Sequence, residues 1–343
     1  MGSLRIIEDQ PLAPLTTFEV GGAARFFADV RSEEELIGSV GFARRRGLAL
    51  FVLGGGSNVL FGDSGFDGLV IRIGIRGVEF AGAVAIAAAG EDWDGFCATC
   101  VARGLAGVEC LSGIPGTVGG TPVQNVGAYG QEVSETIETV RAYDLESERF
   151  VDLRNRDCGF GYRKSIFNTV ARGRYVVTAV TFRLEPGGAP KIVYKDLRIC
   201  FGDSEPTLAE VRAAVRRIRG EKGMLVRQGG PDSRSAGSFF KNPVVAIAHF
   251  ELLRKRFEDL PGFPSDDGSV KIPAAWLIER AGFEKGYRRG RAGLSTRHTL
   301  ALTNRGNAIA AEIRELEDLI RRRVHGVFGV ELAVEPVLVT SER

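Results

Sequence analysis

Two glycine-rich segments constrain this chain more than any other feature. Leu53-Gly-Gly-Gly-Ser-Asn58 leaves an apolar β-run with three successive glycines. Ser112-Gly-Ile-Pro-Gly-Thr-Val-Gly-Gly-Thr121 packs four glycines, one proline and two threonines into ten residues. Such turns can aim consecutive backbone N–H groups at an anion. Neither is a standard fingerprint. A P-loop ends in Gly-Lys-Ser/Thr, and a dinucleotide G-x-G-x-x-G opens a helix; the first segment instead runs on into Val59-Leu60-Phe61. Each segment alone reads equally well as a tight turn. Two in one chain favour a dinucleotide carrying a pyrophosphate. Asn125, Gly127 and Gly130 extend the same glycine-rich surface. Glycine makes up 45 of 343 residues, about twice the usual ~7% share, without the three-residue period of collagen.

Composition narrows the class further. The length suggests about two or three domains. Hydrophobic residues at 44% and charged residues at 26% exclude a disordered chain. A net charge of +2 argues against a nucleic-acid partner, while leaving room for a local basic pocket. The arginines of Arg212–Arg219, Arg288–Arg291 and Arg321–Arg323 read as solvated faces. Five cysteines, an odd number in a large chain, favour a reducing cytoplasm over a disulfide scaffold. Three histidines leave little for a metal site, and none is expected. No apolar run reaches the ~18–20 residues of a membrane span, and the first ten residues lack a secretory pattern.

The element pattern begins βαβ. Arg25–Val30, Leu48–Leu53 and Gly68–Ile73 read as strands. Between the first two, Ser32-Glu33-Glu34-Glu35 fits a capping box, followed by Leu36, Val40 and Ala43 at helical spacing. Asp92 to Gly104 reads as a helix whose buried face carries Trp93, Phe96, Cys97, Cys100 and Val101. That spacing makes Cys97 and Cys100 core residues rather than a redox or zinc pair. Ile137–Tyr143, Phe150–Leu153 and Tyr175–Leu184 read as strands. Thr207 and Glu210 form a second capping box, opening a helix with Val211, Val215 and Ile218 inward. Residues 223–237 read as a linker or mobile loop at a domain boundary. Later come a helix over Ala274–Ala281, strands near Gly293 and Leu300–Thr303, and an amphipathic helix from about Ala308 to His325. Its expected stripe is Ile309, Ile313, Leu316, Ile320 and Val324. Glu331–Val339 alternates like a strand.

Three polar residues stand where chemistry is conceivable. Arg163, in Phe160-Gly-Tyr-Arg-Lys-Ser165, either clamps a carboxylate or phosphate or decorates a surface turn. Ser238 follows Gly237 and precedes two phenylalanines; its hydroxyl is a proton donor or a cap. There is no G-x-S-x-G elbow, which argues against a serine hydrolase. Glu335 sits in an apolar run, so it faces solvent or is paired at a site.

Seven ordered motifs together resemble the UDP-N-acetylenolpyruvoylglucosamine reductase (MurB) family. They are Thr17-Phe-Glu-Val-Gly-Gly22, Leu53-Gly-Gly-Gly-Ser-Asn-Val-Leu60, Leu111-Ser-Gly-Ile-Pro-Gly-Thr-Val-Gly-Gly120, Gln124-Asn-Val-Gly-Ala-Tyr-Gly130, Phe160-Gly-Tyr-Arg-Lys-Ser165, Ala236-Gly-Ser-Phe-Phe-Lys-Asn-Pro243 and Glu335-Pro336. The resemblance implies an α+β fold: a two-subdomain FAD-binding unit of the vanillyl-alcohol-oxidase (PCMH-like) type plus a C-terminal α+β substrate-binding domain. The expected parts are 1–75, then 76–222 joined by the C-terminal strand 331–343, then 223–330. Ile192-Val-Tyr-Lys-Asp-Leu197 looks like the tyrosine-bearing loop of the family's larger form.

The resemblance also implies the chemistry. NADPH reduces FAD, and the reduced cofactor reduces UDP-N-acetylglucosamine enolpyruvate to UDP-N-acetylmuramate for peptidoglycan. Arg163, Ser238 and Glu335 match the catalytic residues, with Ser238 the proton donor. Gly54, Gly55, Gly56, Ser57, Asn58, Gly113, Ile114, Gly116, Thr117, Gly119, Gly120, Asn125, Gly127 and Ala128 are the expected FAD contacts. Tyr129, Tyr194, Lys222 and Asn242 are the expected substrate contacts. A cytoplasmic monomer is expected. The alternatives are another FAD-dependent oxidoreductase of the same fold, and a nucleotide-binding module without chemistry.

Overall fold

The structure, a computed structural model, describes residues 4–225, 230, 232–265 and 268–340. Part of the 223–237 stretch read as a loop therefore lies outside the described residues, as do the last three residues of the 331–343 strand. The chain forms two compact units. The first comprises Met1–Gln10, Ala24–Gly56 and Asp67–Leu225; the second comprises Pro11–Ala23, Ser57–Phe66 and Val226–Arg343.

Two larger sheets dominate the first unit. In one, strands Ile6–Pro11, Ala23–Val30, Phe66–Ile73 and Ala49–Leu53 lie side by side in that order. Ala49–Leu53 runs parallel to Phe66–Ile73, with Ala49 opposite Gly68. Helix α1 (Glu33–Arg45) makes the crossover from Ala23–Val30. The Ser32 hydroxyl accepts the Glu35 N–H at 3.2 Å, but the Glu35 carboxylate reaches back to the N–H of Arg31 at 2.7 Å. The cap is thus one residue longer than the box expected from sequence. The second sheet is antiparallel throughout, in the order Arg149–Arg154, Ile137–Asp144, Tyr175–Arg183, Val84–Ala88, Val78–Ala81.

Helix α2 (Trp93–Ala102) buries four of the five residues its periodicity specifies: Trp93, Phe96, Cys97 and Cys100 are inside, whereas Val101, in the last turn, is only half-buried. The Phe96 ring stacks on Phe182 of the second sheet at 4.8 Å between centroids. Burial pushes the Cys97 thiol up and that of Cys100 up to about 12. Neither thiol is a ready nucleophile or ligand, because both chemistries need the thiolate. Among the described residues no group of His, Cys, Asp and Glu could hold a metal ion.

Helices α3 (Lys195–Phe201) and α4 (Leu208–Glu221) complete this unit. The Thr207–Glu210 capping box forms as read from sequence. Val211, Val215 and Ile218 of α4 pack on Cys110, Tyr129 and Leu197.

The second unit packs helices α5 (Ile247–Arg256), α6 (Ala274–Arg280) and α7 (Ala310–Phe328) with two three-stranded antiparallel sheets. Helix α7 buries Ile313, Leu316, Ile320 and Val324 and ends at Gly329, whose φ of 63° only glycine adopts freely. Ile309 does not join the stripe. It lies before the first helical turn and is 44% exposed. The Asp63 carboxylate, distant in sequence, accepts the N–H groups of Ala310 and Ala311 at 2.7 and 3.0 Å and so fixes where the helix begins. A cap of this kind contributes about 1 kcal/mol.

The same contact explains a departure from the expected domain order. Residues 57–66 and 11–23 belong with the C-terminal region rather than with residues 1–75. A Cβ on Gly22 would lie 2.3 Å from the Asp63 carbonyl oxygen, so the Thr17–Gly22 motif lies directly against that loop. The chain end joins them too. Val337–Val339 pairs in parallel with Val59–Phe61, not with a strand of 76–222. Glu331–Val339 is not one strand. Around Val334 the backbone bridges to Phe240, with Lys241 N–H on Ala333 O and Glu335 N–H on Phe239 O, both at 2.9 Å. Pro336 offers no N–H, and beyond it the chain changes partner to Val59–Phe61.

Candidate active site

The two glycine-rich segments meet backbone to backbone in the first unit. A Cβ on Gly55 would lie 2.8 Å from Gly116 Cα, and one on Gly54 would lie 2.9 Å from the Thr117 hydroxyl. The second loop is anchored from below. The Trp93 indole N–H donates to Leu111 O at 3.0 Å, and Trp93 N–H donates to Gly116 O at 3.1 Å. The N–H groups of Val118, Gly119 and Gly120 bond to Glu91, Ala89 and Thr117 carbonyls. That of Gly113 bonds to the Asp94 carboxylate at 2.7 Å. By contrast, the N–H groups of Gly54, Gly55, Gly56, Ile114 and Gly116 have no protein acceptor among the described residues. The Ser112 hydroxyl is buried and likewise makes no hydrogen bond among them. This is closely packed backbone with unspent donors, the chemistry an anionic phosphate needs. Ser57 and Asn58 fall in the second unit, where Asn58 O accepts Val337 N–H at 2.9 Å.

Sequence reading missed what holds the Gly113 turn. Asp94 accepts Gly113 N–H and hydrogen bonds from Arg212, at 2.5 Å, and Arg216. Burial alone would raise the Asp94 carboxyl; the Arg212 and Gly113 bonds outweigh it and leave it below the usual range. Arg219 is buried and donates to Gly113 O at 3.1 Å and Met224 O at 3.0 Å. Arg212 and Arg219 thus face inward, and the half-exposed Arg216 still reaches Asp94, so this side of α4 is not simply solvated. Their i, i+4, i+7 spacing puts them on one side of the helix but does not say whether that side faces inward.

Three of the four expected substrate residues come together at the end of α4. Tyr129 and Tyr194 pack edge to face at 5.3 Å. The Lys222 ammonium lies 5.9 Å from the Tyr129 ring centroid and 2.6 Å from the Asp196 carboxylate. Burial works against the charge on Lys222, but Asp196 outweighs it and keeps the ammonium protonated. Burial also raises the Tyr129 phenol, so it stays neutral. Asp196 itself was not foreseen.

Arg163 occupies the tip of a turn closed by reciprocal 3.0 Å bonds between Gly161 and Lys164. Its φ is 53°, in the left-handed region that costs a non-glycine residue about 1–2 kcal/mol. Its guanidinium donates to Gly127 O at 2.9 Å, and Asn168 donates to its carbonyl at 3.1 Å. Such strain persists only where surroundings over-determine it, often at functional positions. Asn125 is buried, and its side chain bonds Glu132, Gly161 and Ser134. Gly127 pairs with Glu132, and Ala128 with Gln131.

Ser238 and Glu335 lie in the second unit on paired segments. Glu335 N–H bonds Phe239 O at 2.9 Å, and the buried Phe239 and Phe240 rings pin the backbone beside Ser238. Ser238 is half-buried, and its hydroxyl makes no hydrogen bond among the described residues. Asn242 caps α6: its Oδ1 accepts Ala274 N–H at 2.9 Å.

Comparison with known proteins agrees with this layout. A model of the FAD binding domain family matches residues 24–152. A model of the UDP-N-acetylenolpyruvoylglucosamine reductase C-terminal domain matches residues 230–339. Cradle and match together define the class, a flavoprotein oxidoreductase. The reductase of Thermobifida fusca bearing that name is 45% identical over 96% of both chains, and that of Streptomyces coelicolor 46% identical over 97% of this chain and 90% of its own. The crystal structure of the reductase from Thermus caldophilus is 26% identical and covers 98% of this chain and 99% of its own, with a TM-score of 0.68. The chain belongs to the UDP-N-acetylenolpyruvoylglucosamine reductase family. Among the described residues no helix is long and apolar enough to cross a membrane.

Proposed function

We propose that this protein reduces UDP-N-acetylglucosamine enolpyruvate to UDP-N-acetylmuramate, using FAD with NADPH as the reductant. The observation that carries the reading is the pair of glycine loops with unspent N–H donors, which suits the pyrophosphate of FAD; family membership supplies the substrate. Gly54, Gly55, Gly56, Ile114, Gly116 and Thr117 would hold the cofactor, and the buried Ser112 hydroxyl in the same segment keeps its hydrogen-bonding capacity unspent among the described residues. When bound and reduced, FAD would supply the hydride for reduction of the enolpyruvyl double bond.

The chain's own residues handle the charge and the proton. Hydride addition pushes negative charge toward the substrate carboxylate. Arg163, a permanent cation held by its turn, stabilises that charge as it develops. Ser238 delivers a proton to the α-carbon. A hydroxyl is a weak acid in water, but an adjacent enolate is strongly basic, and close alignment makes the transfer efficient. Glu335 orients the enol, while Tyr129, Tyr194 and Lys222 bind the nucleotide portion, with Lys222 on its diphosphate. Asn242 has its amide N–H₂ for the substrate while its oxygen caps α6.

The test is spectroscopic. NADPH added anaerobically should bleach the flavin bands, and the enolpyruvyl nucleotide should restore them. Bands that stay bleached with this nucleotide but return with another acceptor would leave the class intact and sink the substrate. The cradle has its own prediction. Gly55→Ala forces a methyl against Gly116, and overpacking of ~1–3 kcal/mol should weaken FAD binding about ten- to a hundred-fold. Titration of apo-protein with FAD, read by flavin fluorescence, gives the answer; unchanged affinity would place the cofactor elsewhere.

A further inference from the structure

We infer that Asn125 is a positioning residue for Arg163 rather than a contact to the flavin dinucleotide. The inference rests on the proposed reading, in which Arg163 stabilises the substrate's developing charge.

Asn125 is 0% exposed, and both kinds of group on its amide are engaged inside the protein. Its Nδ2 donates to Glu132 Oε2 at 2.7 Å and to Gly161 O at 3.1 Å. Its Oδ1 accepts Ser134 N–H at 3.1 Å. An amide has two N–H donors, so none remains for a ligand. Gly161 is the first residue of the turn that carries Arg163, and its carbonyl also accepts Lys164 N–H. Asn125 thus grips that turn at its start, while Asn168 grips it at the Arg163 carbonyl. The guanidinium in turn bonds Gly127 O, two residues beyond Asn125. The glycine-rich 125–130 segment and the arginine turn therefore hold each other at two points. Asn125 itself has a φ of 47° and Arg163 one of 53°, so two left-handed residues face each other across these bonds. Without the Asn125 donor, the strained arginine turn loses one of the bonds that fix it.

Two variants separate this role from cofactor binding. Asn125→Gly keeps the left-handed backbone without penalty. Asn125→Asp tolerates that backbone and keeps the acceptor for Ser134, but lacks the donors to Gly161 and Glu132 and sets a second carboxyl against Glu132. In both, FAD stoichiometry should equal that of the wild type, while turnover of the enolpyruvyl nucleotide falls about 10- to 50-fold. In an Arg163→Ala background the same changes should cost less than about twofold, because the residue they position is gone. Amide exchange at Gly161 and Lys164 should quicken at least about tenfold in either background. FAD content falling in step with activity, multiplicative losses in the double variants, or unchanged exchange at Gly161 and Lys164 would each overturn the inference. If the wild type leaves the enolpyruvyl nucleotide unreduced, it is the proposed function that fails. The exchange rates then decide alone whether Asn125 holds the turn.

Discussion

Ser238→Ala should keep its FAD, should still be reduced by NADPH, and should turn over the enolpyruvyl nucleotide about a thousand-fold more slowly. General acid groups contribute ~10²–10⁴-fold, and a hydroxyl acting on a strongly basic carbon belongs in that range. The structure gives reasons to expect a clean result. The Ser238 side chain makes no hydrogen bond among the described residues, so its removal orphans no partner there. The backbone at this position is held by Phe239 N–H on Leu300 O at 2.8 Å and by the Glu335 bond, neither of which uses the hydroxyl. Stability should therefore change by less than about 0.5 kcal/mol. Stopped-flow spectroscopy resolves the two half-reactions. Loss confined to reoxidation by the nucleotide fits the proton-donor role. An equal slowing of reduction by NADPH would mean that Ser238 binds ligands common to both steps and donates no proton.

How much of this was legible in the sequence depends on the range of each interaction. Helix α2 was legible because its code is local: Trp93, Phe96, Cys97 and Cys100 recur at helical spacing, and all are buried. The start of α7 was not. The apolar period runs back to Ile309, but the helix begins where Asp63 caps it, and no local pattern announces a capping residue that far away. The 331–339 segment misled for a related reason. Its alternation is real, yet the ladder changes partner at Pro336. The arginines of α4 were visible but ambiguous, because inward and solvated arginines share one spacing. Only Asp94, over a hundred residues earlier, decides which is meant.

The candidate site divides the same way. The glycine loops were legible as anion-binding backbone because glycine density is a local property, and their mutual contact at Gly55 and Gly116 is the part sequence could not supply. The Tyr129–Tyr194–Lys222 cluster was reached through family motifs, but its counter-charge, Asp196, was passed over although it lies two residues beyond Tyr194, in the first turn of α3. Asn125 shows the limit of motif transfer. Its position within a glycine-rich run suggested the cofactor, whereas its burial and three hydrogen bonds direct it at the turn of Arg163.

Arg163→Ala should lower kcat for the enolpyruvyl nucleotide by about 10³-fold, with FAD content unchanged. Removing one neutral donor to a developing oxyanion costs ~10²–10³-fold, and a full cation belongs at the upper end. Arg163→Lys is the more informative variant. Lysine keeps the charge but offers a point donor on a flexible stem, whereas the arginine presents a planar fork of several donors, one of which bonds Gly127 O. A lysine ammonium that bonds Gly127 is drawn away from the substrate; one that reaches the substrate gives up the anchor. Restoration of charge alone should therefore recover no more than about tenfold of the loss. The turn is already strained, so both variants should be equally folded, and circular dichroism melts serve as the control. A lysine variant close to wild-type activity would mean that field strength alone matters and that the grip of Gly127 on the guanidinium is incidental. A loss shared equally by reduction with NADPH would place Arg163 in binding rather than in stabilising the charge that forms when the double bond is reduced.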